Sequence, residues 1–375
     1  MLIDEFDYPL PKNAIAQRPA VPRDRCKLLV LDSEDGSIKH HIFYELSDYL
    51  MPGDVIVLND TKVMHARLHA RKETGGKLEV LLLGNNGNLF NCLIKGKVKE
   101  GTKIIFERDA GKNTEYEGNE NNGADGSRGS KGNSGEDGGG GRAEVEGVVV
   151  EKEGGKCIVE IPLSMEELEE MGEMPLPPYI REEVDKETAE MYQSVFAREK
   201  GSVAAPTAGL HFTEEMIEEL KSKGVIISYI TLHVGIGTFM PIRSRNVEEH
   251  RMEAEFYEIS EKVAEEINRA SSRGANIVAV GTTAVKTLES SSSDGEVRAG
   301  SGWSDLFIYP GYEFDSPITS ILTNFHLPKS TPLLLVSAYA GKDAIMKAYD
   351  EALKRNYRFL SFGDAMLIIG KAHGG

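Results

Sequence analysis

The residues best suited to chemistry lie in two short turns that are rich in glycine and other small side chains. The first turn is 201–213, Gly-Ser-Val-Ala-Ala-Pro-Thr-Ala-Gly-Leu-His-Phe-Thr, and the second is 233–239, His-Val-Gly-Ile-Gly-Thr-Phe. Small side chains allow the backbone to approach a bound molecule closely, and each turn carries one histidine, which can transfer protons near neutral pH. The two turns predict two walls of one pocket; the alternative is a pair of ordinary tight loops.

The elements around these turns predict an alternating α/β arrangement. Thr213 can cap a helix that ends at Gly224, and the apolar run 225–232 predicts a buried strand that leads into the second turn. Similar helices and strands follow to the end of the chain, including a helix over 260–273, and a further helix is predicted over 182–197. Each strand ends in polar residues, and open α/β sheets bind ligands at the carboxyl ends of their strands.

The middle of the chain has a different pattern, with many short strands and no helix. Residues 63–71 alternate strictly between apolar residues and His or Arg, which predicts a strand with one basic face. Several short strands separated by turns predict a small barrel or sandwich. Residues 109–142 consist mainly of Gly, Asn, Ser and acidic residues, which predicts a mobile loop within this β-rich region.

Composition narrows the class of protein. The net charge is −17, but residues 109–190 hold 22 acidic residues against eight basic ones, whereas residues 60–108 hold ten Lys or Arg against five Asp or Glu. The basic segment can therefore face an RNA backbone, and a solvated sheet surface is the alternative. Three widely spaced cysteines and a polar amino terminus predict a cytoplasmic protein with no membrane span. The common dinucleotide, phosphate-loop, zinc-protease and hydrolase motifs are not met.

A set of longer motifs identifies one family. They are Asn59-Asp-Thr-Lys-Val63, Pro175-Leu-Pro-Pro-Tyr179, Tyr192-Gln193, the two turns described above, Val280-Gly-Thr-Thr283, Phe307-Ile-Tyr-Pro-Gly-Tyr312, Thr323-Asn-Phe-His-Leu-Pro-Lys-Ser330 and Gly363-Asp-Ala-Met366. With them the chain resembles the S-adenosylmethionine:tRNA ribosyltransferase-isomerases of queuosine biosynthesis over nearly its whole length, apart from about 109–142. Lys286 and Glu253 stand where that family usually has Arg and His.

The resemblance implies a fold and a reaction. The expected fold class is α/β, with a discontinuous α/β catalytic domain (1–66 and 163–375) and an inserted small β-barrel domain (67–162) that contains the loop 109–142. S-adenosylmethionine is expected as a substrate. Its ribosyl moiety is transferred to 7-aminomethyl-7-deazaguanine at the tRNA wobble position and isomerised, which yields epoxyqueuosine-tRNA, adenine and methionine. No metal or other cofactor is expected, and the protein is expected to be a monomer.

The sequence offers candidate residues for each task of this reaction. Candidates for proton transfer are His211, His233, His326 and Asp60, although packing or turn capping is the alternative for each. Expected substrate contacts are Asn59, Thr61, Pro206, Thr207, Ala208, Gly209, Phe212, Gly235, Gly237, Thr238, Phe239, Thr282, Thr283, Tyr309, Asn324 and Asp364, of which Thr282 and Thr283 precede a helix and could meet a carboxylate. Expected tRNA contacts are His65, Arg67, His69, Arg71, Lys95 and Lys97, with Lys99 and Lys103 nearby.

Two other functions remain open at this point. One is a different S-adenosylmethionine-dependent RNA-modifying enzyme, such as a methyltransferase, which would release S-adenosylhomocysteine instead of adenine. The other is a non-catalytic RNA-binding module built on the basic β-rich region.

Overall fold

A computed structural model describes residues 1–109, 142–181, 185–235, 237 and 242–370. The predicted mobile loop, apart from its first and last residues, therefore lies outside the described residues. The described chain divides into two compact units, Met1–Met64 with Met174–Gly375 and, between them in sequence, His65–Glu173.

The strands and helices follow one another along both units. The strands are β1 Lys27–Asp32, β2 Ile38–Ile42, β3 Val55–Asn59, β4 Thr61–Val63, β5 Arg67–Lys72, β6 Lys77–Asn86, β7 Leu89–Lys95, β8 Lys103–Asp109, β9 Arg142–Glu153, β10 Lys156–Glu160, β11 Glu199–Ser202, β12 Ile226–Leu232, β13 Glu255–Ile259, β14 Ile277–Val280, β15 Ser292–Ser293, β16 Glu296–Val297, β17 Gly300–Ser304, β18 Ser320–Asn324 and β19 Ala365–Ile369. The α-helices are α1 Met165–Met171, α2 Lys186–Glu190, α3 Glu214–Ser222, α4 Glu261–Ser271, α5 Thr282–Ser291, α6 Thr331–Ala340 and α7 Lys342–Lys354.

The first unit is built on a mixed sheet of nine strands. Their order is β17-β13-β12-β3-β14-β18-β19-β1-β2, and the central pairs β12–β3, β3–β14 and β14–β18 are parallel. Every residue of β3, β14 and β18 is buried, as expected for strands covered on both faces. Within β3, Val55 and Val57 pack into one hydrophobic cluster, and Ile56 and Leu58 pack into another. Successive side chains of a strand point to opposite faces of the sheet, so β3 contributes to a core on each face.

Side-chain caps start three of the helices around this sheet. Thr213 Oγ1 accepts a hydrogen bond from the Met216 amide at 3.1 Å and begins α3, as predicted. Ser260 and Ser330 cap α4 and α6 in the same way. The helix predicted over 182–197 is wrong in extent, because α2 covers only Lys186–Glu190, and residues 182–184 lie outside the described residues.

The second unit is a closed barrel with strand order β10-β7-β6-β5-β8-β9. Its interior is filled by alternate side chains of each strand, namely Leu68, Leu78, Val80, Leu82, Phe90, Cys92, Ile104, Phe106, Val149, Cys157 and Val159. The predicted strand over 63–71 is divided, because β4 ends at Val63 in the first unit and β5 begins at Arg67 in the second.

The limits of the barrel unit differ from the predicted 67–162. The unit runs from residue 65 to residue 173 because a backbone bridge holds its two ends together. The Arg67 amide donates to the Glu173 carbonyl at 3.2 Å, and the Glu173 amide donates to the Arg67 carbonyl at 2.8 Å. Helix α1 therefore belongs to the barrel unit, and its Leu168 is fully buried.

No helix among the described residues has the length and apolar character needed to cross a membrane.

Candidate active site

The two glycine-bearing turns are hydrogen-bonded neighbours. The Val203 amide donates to the Val234 carbonyl at 3.0 Å, and the Val234 amide donates to Ser202 Oγ at 2.8 Å. Gly201 has a φ of +147°, and a Cβ at this position would lie 2.6 Å from His233 Nε2. Glycine is therefore required where the first turn passes the second.

A cleft with about 630 Å³ of empty space, part of it open to solvent, has both turns in its lining. It lies at the carboxyl ends of β14 and β18, the position that open α/β sheets use for ligands. Its lining consists of Tyr179, Ala205, Pro206, Thr207, Ala208, Val234, Gly281, Thr282, Thr283, Thr323, Asn324, Phe325, His326, Leu327, Ser330, Pro332, Leu360 and Ser361.

Seven of the predicted site residues meet in this lining: Pro206, Thr207, Ala208, Thr282, Thr283, Asn324 and His326. Sequence reasoning did not select Tyr179 and Ser361, whose hydroxyl groups lie 2.6 Å apart in the same cleft. Burial raises the pKa of Tyr179 to about 12, so its hydroxyl stays protonated at neutral pH. The signal that could have found Tyr179 was its place at the end of the proline-rich motif.

His326 is the one histidine of the three candidates that lines the cleft. Its Nε2 lies 3.1 Å from Thr323 Oγ1, and its backbone amide donates to the Tyr349 hydroxyl at 3.0 Å. Burial lowers the pKa of His326 to about 3, so the imidazole is neutral at neutral pH. A neutral imidazole at the wall of a cleft has one nitrogen that can accept a proton.

His211 lies behind the cleft and does not line it. Its Nδ1 is 3.2 Å from Cys26 Sγ and its Nε2 is 3.1 Å from Asn324 Nδ2. Asn324 in turn accepts a hydrogen bond from Thr207 Oγ1 at 3.0 Å and donates to the Leu360 carbonyl at 3.1 Å. Burial is the main cause that lowers the pKa of His211 to about 3. His211 is therefore neutral at neutral pH and contacts the cleft lining through Asn324.

His233 and Thr61 form a pair beside the cleft. Thr61 Oγ1 lies 2.8 Å from His233 Nδ1, and the imidazole stacks on Phe256 with the ring centroids 5.7 Å apart. Burial lowers the pKa of His233. The adjacent residue, Val234, is the one that enters the lining.

The carboxylate of Asp60 forms a hydrogen bond and an ion pair with neighbouring side chains. Its carboxylate accepts from Thr231 Oγ1 at 2.8 Å and forms an ion pair with Arg198 at 2.7 Å. Burial raises the pKa of Asp60, and its contacts with Thr231 and Arg198 act in the opposite direction. Asp60 does not line the cleft, and these contacts are those of a residue that fixes the end of β3.

Asn59 and Asp364 join neighbouring segments of the unit. Asn59 Oδ1 accepts from the Leu232 amide at 3.1 Å, which ties β3 to β12. Asp364 accepts from the backbone amides of Lys27 at 3.0 Å and Arg358 at 2.7 Å. Neither side chain lines the cleft, so both positions serve the frame of the site.

The remaining predicted contacts lie elsewhere or outside the described residues. Gly209 and Phe212 are buried members of the first turn that do not line the cleft, Tyr309 packs against the hydrophobic core and Gly237 lies outside the cleft lining. Gly235 donates its amide to Glu255 Oε1 at 2.8 Å. Thr238 and Phe239 are outside the described residues.

A side chamber with about 430 Å³ of empty space, part of it open to solvent, shares Thr282, Thr283 and Pro332 with the cleft. It also contains a buried ion pair in which Lys286 Nζ lies 2.9 Å from Glu255 Oε2. The rest of its lining is formed by Met252, Leu306, Phe307, Ile308, Thr331 and Leu335.

Four cations of the predicted basic stripe, which comprises His65, Arg67, His69, Arg71 and Lys95, lie close to carboxylates. Arg71 pairs with Glu107 at 3.4 Å and with Glu144 at 2.5 Å, and His69 Nε2 lies 3.2 Å from Glu173. Two further predicted contacts, Arg67 and Lys95, lie 4.0 and 3.7 Å from the carboxylate of Glu79. His65 is exposed.

Three of the lysines predicted near the tRNA, Lys97, Lys99 and Lys103, line a hollow on the barrel unit with about 850 Å³ of empty space, part of it open to solvent. Its cations are Lys72 at the end of β5, Lys97 and Lys99 between β7 and β8, and Lys103 at the start of β8, and Glu73 also lines it. Lys103 pairs with Glu146 at 3.0 Å. Within the described part of the chain, no carboxylate forms an ion pair with Lys97 or Lys99.

Among the residues that the structure describes, no group of three or more His, Cys, Asp or Glu side chains is arranged to hold a metal ion.

The structure defines a two-unit α/β protein with a cleft at the strand ends, and comparison with known proteins specifies the family. A family model described as queuosine biosynthesis protein matches residues 3–368. The chain belongs to this family.

Two relatives match almost end to end. A protein from Moorella thermoacetica named S-adenosylmethionine:tRNA ribosyltransferase-isomerase is 47% identical over 380 residues, which cover 98% of this chain and 100% of the relative. A crystal structure of an S-adenosylmethionine tRNA ribosyltransferase from Thermotoga maritima is 36% identical, with a TM-score of 0.52, and covers 97% of this chain and 100% of that one. The predicted family, the α/β fold class with its β-barrel and the enzyme class, a transferase-isomerase of queuosine biosynthesis, are confirmed.

Proposed function

We propose that this enzyme transfers the ribosyl moiety of S-adenosylmethionine to 7-aminomethyl-7-deazaguanine at the wobble position of tRNA and isomerises it. The products are epoxyqueuosine-tRNA, adenine and methionine. The relatives named for this activity match the chain over almost its full length. The structural observation that carries the proposal is the strand-end cleft whose lining includes both glycine-bearing turns and His326.

The chemistry begins beside the sulfonium. The positive sulfur makes the adjoining 5′ carbon of the ribose acidic, so that a positioned base can remove a proton and form an ylide. Collapse of this carbanion expels adenine, which needs a proton as it leaves, and the aminomethyl nitrogen of the tRNA base then attacks. Epoxide closure finally displaces methionine. These reaction steps require a general base, a general acid and a site that limits water access.

His326 is the residue that we assign to proton transfer. The assignment rests on position, since His326 is the candidate histidine that lines the cleft. Burial lowers its pKa to about 3, so the imidazole is neutral at neutral pH and is a weak base. Thr207 and Asn324 are assigned to substrate contact, because both line the cleft and their side chains are joined by a 3.0 Å hydrogen bond. His211 orients Asn324 from behind.

The barrel unit is assigned to the tRNA backbone. Phosphates are bound by cations that are accessible and not already paired, since each contact releases a counterion. Lys97 and Lys99 are exposed at the hollow, whereas Arg67 and Arg71 on the predicted stripe have carboxylate partners. The lysine-lined hollow is therefore our choice for the phosphate contacts.

We also propose that the enzyme acts in the cytoplasm as a monomer and needs no metal or redox cofactor. The thiols Cys26, Cys92 and Cys157 are all free and buried, which fits a reducing compartment. The proposed chemistry supplies its own leaving groups and has no redox step. Light scattering of the purified protein at several concentrations tests the monomer, and a stable mass of two chains would contradict it.

One chromatogram tests the proposed reaction. The enzyme is incubated with S-adenosylmethionine and tRNA that carries 7-aminomethyl-7-deazaguanine, and free adenine is measured against tRNA with guanine at the same position. Adenine and methionine released only with the first tRNA are the expected result. S-adenosylhomocysteine in place of adenine would indicate a methyltransferase, and tRNA binding without either product would indicate a binding module.

A further inference from the structure

The amino-terminal end of α5 opens into both the cleft and the side chamber. The residue that precedes the helix is Gly281, with a φ of +86°, and it has no side chain with which to cap the first amides. The first N–H groups of a helix lack intrahelical acceptors and carry partial positive charge. Since Gly281, Thr282 and Thr283 all line the cleft, this helix end faces the place where a ligand binds.

The side chain of Thr283 provides a second, independent sign of a ligand. It is only 9% exposed, it lines both the cleft and the side chamber, and its Oγ1 is buried without a hydrogen-bond partner among the described residues. A buried hydroxyl without a partner is costly, because its lost hydration is not replaced. An acceptor atom on a bound molecule would satisfy it.

A cation lies one turn further along the same helix face. Lys286 follows Thr283 by three residues, and its ammonium group is 2.9 Å from Glu255 Oε2 in the side chamber. The other oxygen of Glu255 accepts the Gly235 amide at 2.8 Å, which holds the carboxylate in place. An ammonium group has three donors, so the contact with Glu255 leaves donors for a second acceptor.

The remaining walls of the side chamber are largely apolar. Met252, Leu306, Phe307, Pro332 and Leu335 surround the end of the helix and the ion pair. The chamber therefore combines donors for an anion at one end with a surface that suits the methylene groups of an aliphatic chain. This is the chemistry of the methionyl part of S-adenosylmethionine, which has an aliphatic chain with sulfur at one end and a carboxylate at the other.

We infer that the amino terminus of α5, Thr283 and Lys286 bind the α-carboxylate of the methionyl part of S-adenosylmethionine, with the methionyl chain in the side chamber. The inference rests on the proposed function, which supplies the sulfonium substrate. It assigns the nucleoside part to the cleft and the amino-acid part to the chamber next to it. Methionine, once displaced, retains the same carboxylate contacts until it leaves.

Comparison of two ligands tests this assignment without altering the protein. Calorimetric affinities are measured for S-adenosylmethionine and for its decarboxylated analogue, which keeps the sulfonium, the nucleoside and the amino group. We expect the carboxylate to improve the affinity by about tenfold to a hundredfold, the range for hydrogen bonds to a charged group. Equal affinities for the two ligands would overturn the inference.

Matched variants of two threonines on α5 locate the contact. Thr283→Val removes the unpartnered hydroxyl at nearly constant volume and should weaken S-adenosylmethionine by about threefold to tenfold while leaving the analogue unchanged. Thr283→Ser should restore the difference. Thr287→Val is the control, because the Thr287 hydroxyl donates to the Thr283 carbonyl at 2.9 Å and Thr287 lines neither space.

Adenine release, measured on the same samples, separates this inference from the proposed function. If the ligands bind equally, or if Thr283→Val weakens both alike, while adenine is still released, the carboxylate site is wrong and the reaction stands. If neither binding of S-adenosylmethionine nor adenine release is found in the unaltered enzyme, both proposals are wrong.

Discussion

The polar side chains of the two units differ in burial and in the kind of partner they contact. In the α/β unit, His211 and Asn324 are buried and joined by direct hydrogen bonds, and burial lowers the pKa of His211 to about 3. In the barrel unit, Arg71 and His69 stay near the surface and meet carboxylates of other segments. The first arrangement fixes neutral groups at set positions, whereas the second balances charge on a surface that water screens.

This difference explains why sequence patterns were more informative for one unit than for the other. The turns of the α/β unit act through local backbone and small side chains, and a segment of 13 residues already shows them. The charge of the barrel stripe depends on other strands, since Glu79 from β6 and Glu144 from β9 approach Arg67 and Arg71. Basic residues at every second position of one strand therefore do not by themselves indicate a positively charged surface.

The largest expected effect distinguishes the histidine in the cleft from the one beside it. His326→Ala should lower the rate of adenine release by about two to four orders of magnitude, the scale of a general acid–base contribution, with little change in affinity for S-adenosylmethionine. His233→Ala is the comparison, because His233 lies outside the cleft lining and should lose less activity. Steady-state adenine release and calorimetry measure the two quantities. Full activity of the His326 variant would remove His326 from the mechanism.

An intermediate effect distinguishes the two groups of cations on the barrel. Lys97→Ala with Lys99→Ala should weaken tRNA binding by about tenfold at low salt and reduce the slope of log affinity against log salt by about 1.5 to 2, since each lost phosphate contact removes a little under one unit. The matched pair Arg67→Ala with Lys95→Ala removes two cations that share Glu79 and should change the slope less.

Filter binding at several salt concentrations, with S-adenosylmethionine affinity as a check on folding, measures this contrast. A larger loss of slope in the Arg67 and Lys95 pair would place the tRNA contact at Arg67 and Lys95 instead of at the hollow. Equal loss of tRNA and S-adenosylmethionine binding would indicate a folding defect.

The smallest effect concerns stability and the neutral state of His211. The unfolded chain protonates this histidine below a pKa of 6.5, whereas the folded chain keeps it neutral down to about 3. The unfolded state thus binds more protons between these values, so the free energy of unfolding falls as the pH falls, by about 1.4 kcal/mol per pH unit from this group.

His211→Gln should remove that contribution from the slope, whatever it does to the absolute stability. Urea unfolding at pH 7, 6 and 5 measures the slope in both proteins. An unchanged slope would mean that His211 is protonated in the folded protein, which would reopen a role for it in proton transfer.

Local sequence signals predicted where helices begin better than they predicted how far each helix extends. Thr213 begins α3 where the predicted cap indicated, because a cap needs only the next three residues. The helix over 182–197 is too long in the prediction, since the buried Tyr192 packs against Phe362, with ring centroids 5.9 Å apart, from a turn beyond α2. At Tyr192, a contact with a segment distant in sequence therefore outweighs the preference of the local sequence for a helix.

The sequence alone determined the family, the α/β fold with its β-barrel and seven residues that line the cleft. These could be predicted because short motifs, and the alternation of apolar and polar residues along a strand, involve only residues that are close together in the chain. The tertiary structure decided which histidine lines the cleft and which supports it from behind. It also decided which cations are neutralised and that Thr283 is buried without a partner. Each of these depends on groups far apart in the chain, and burial and pairing are set only when folding brings such groups together.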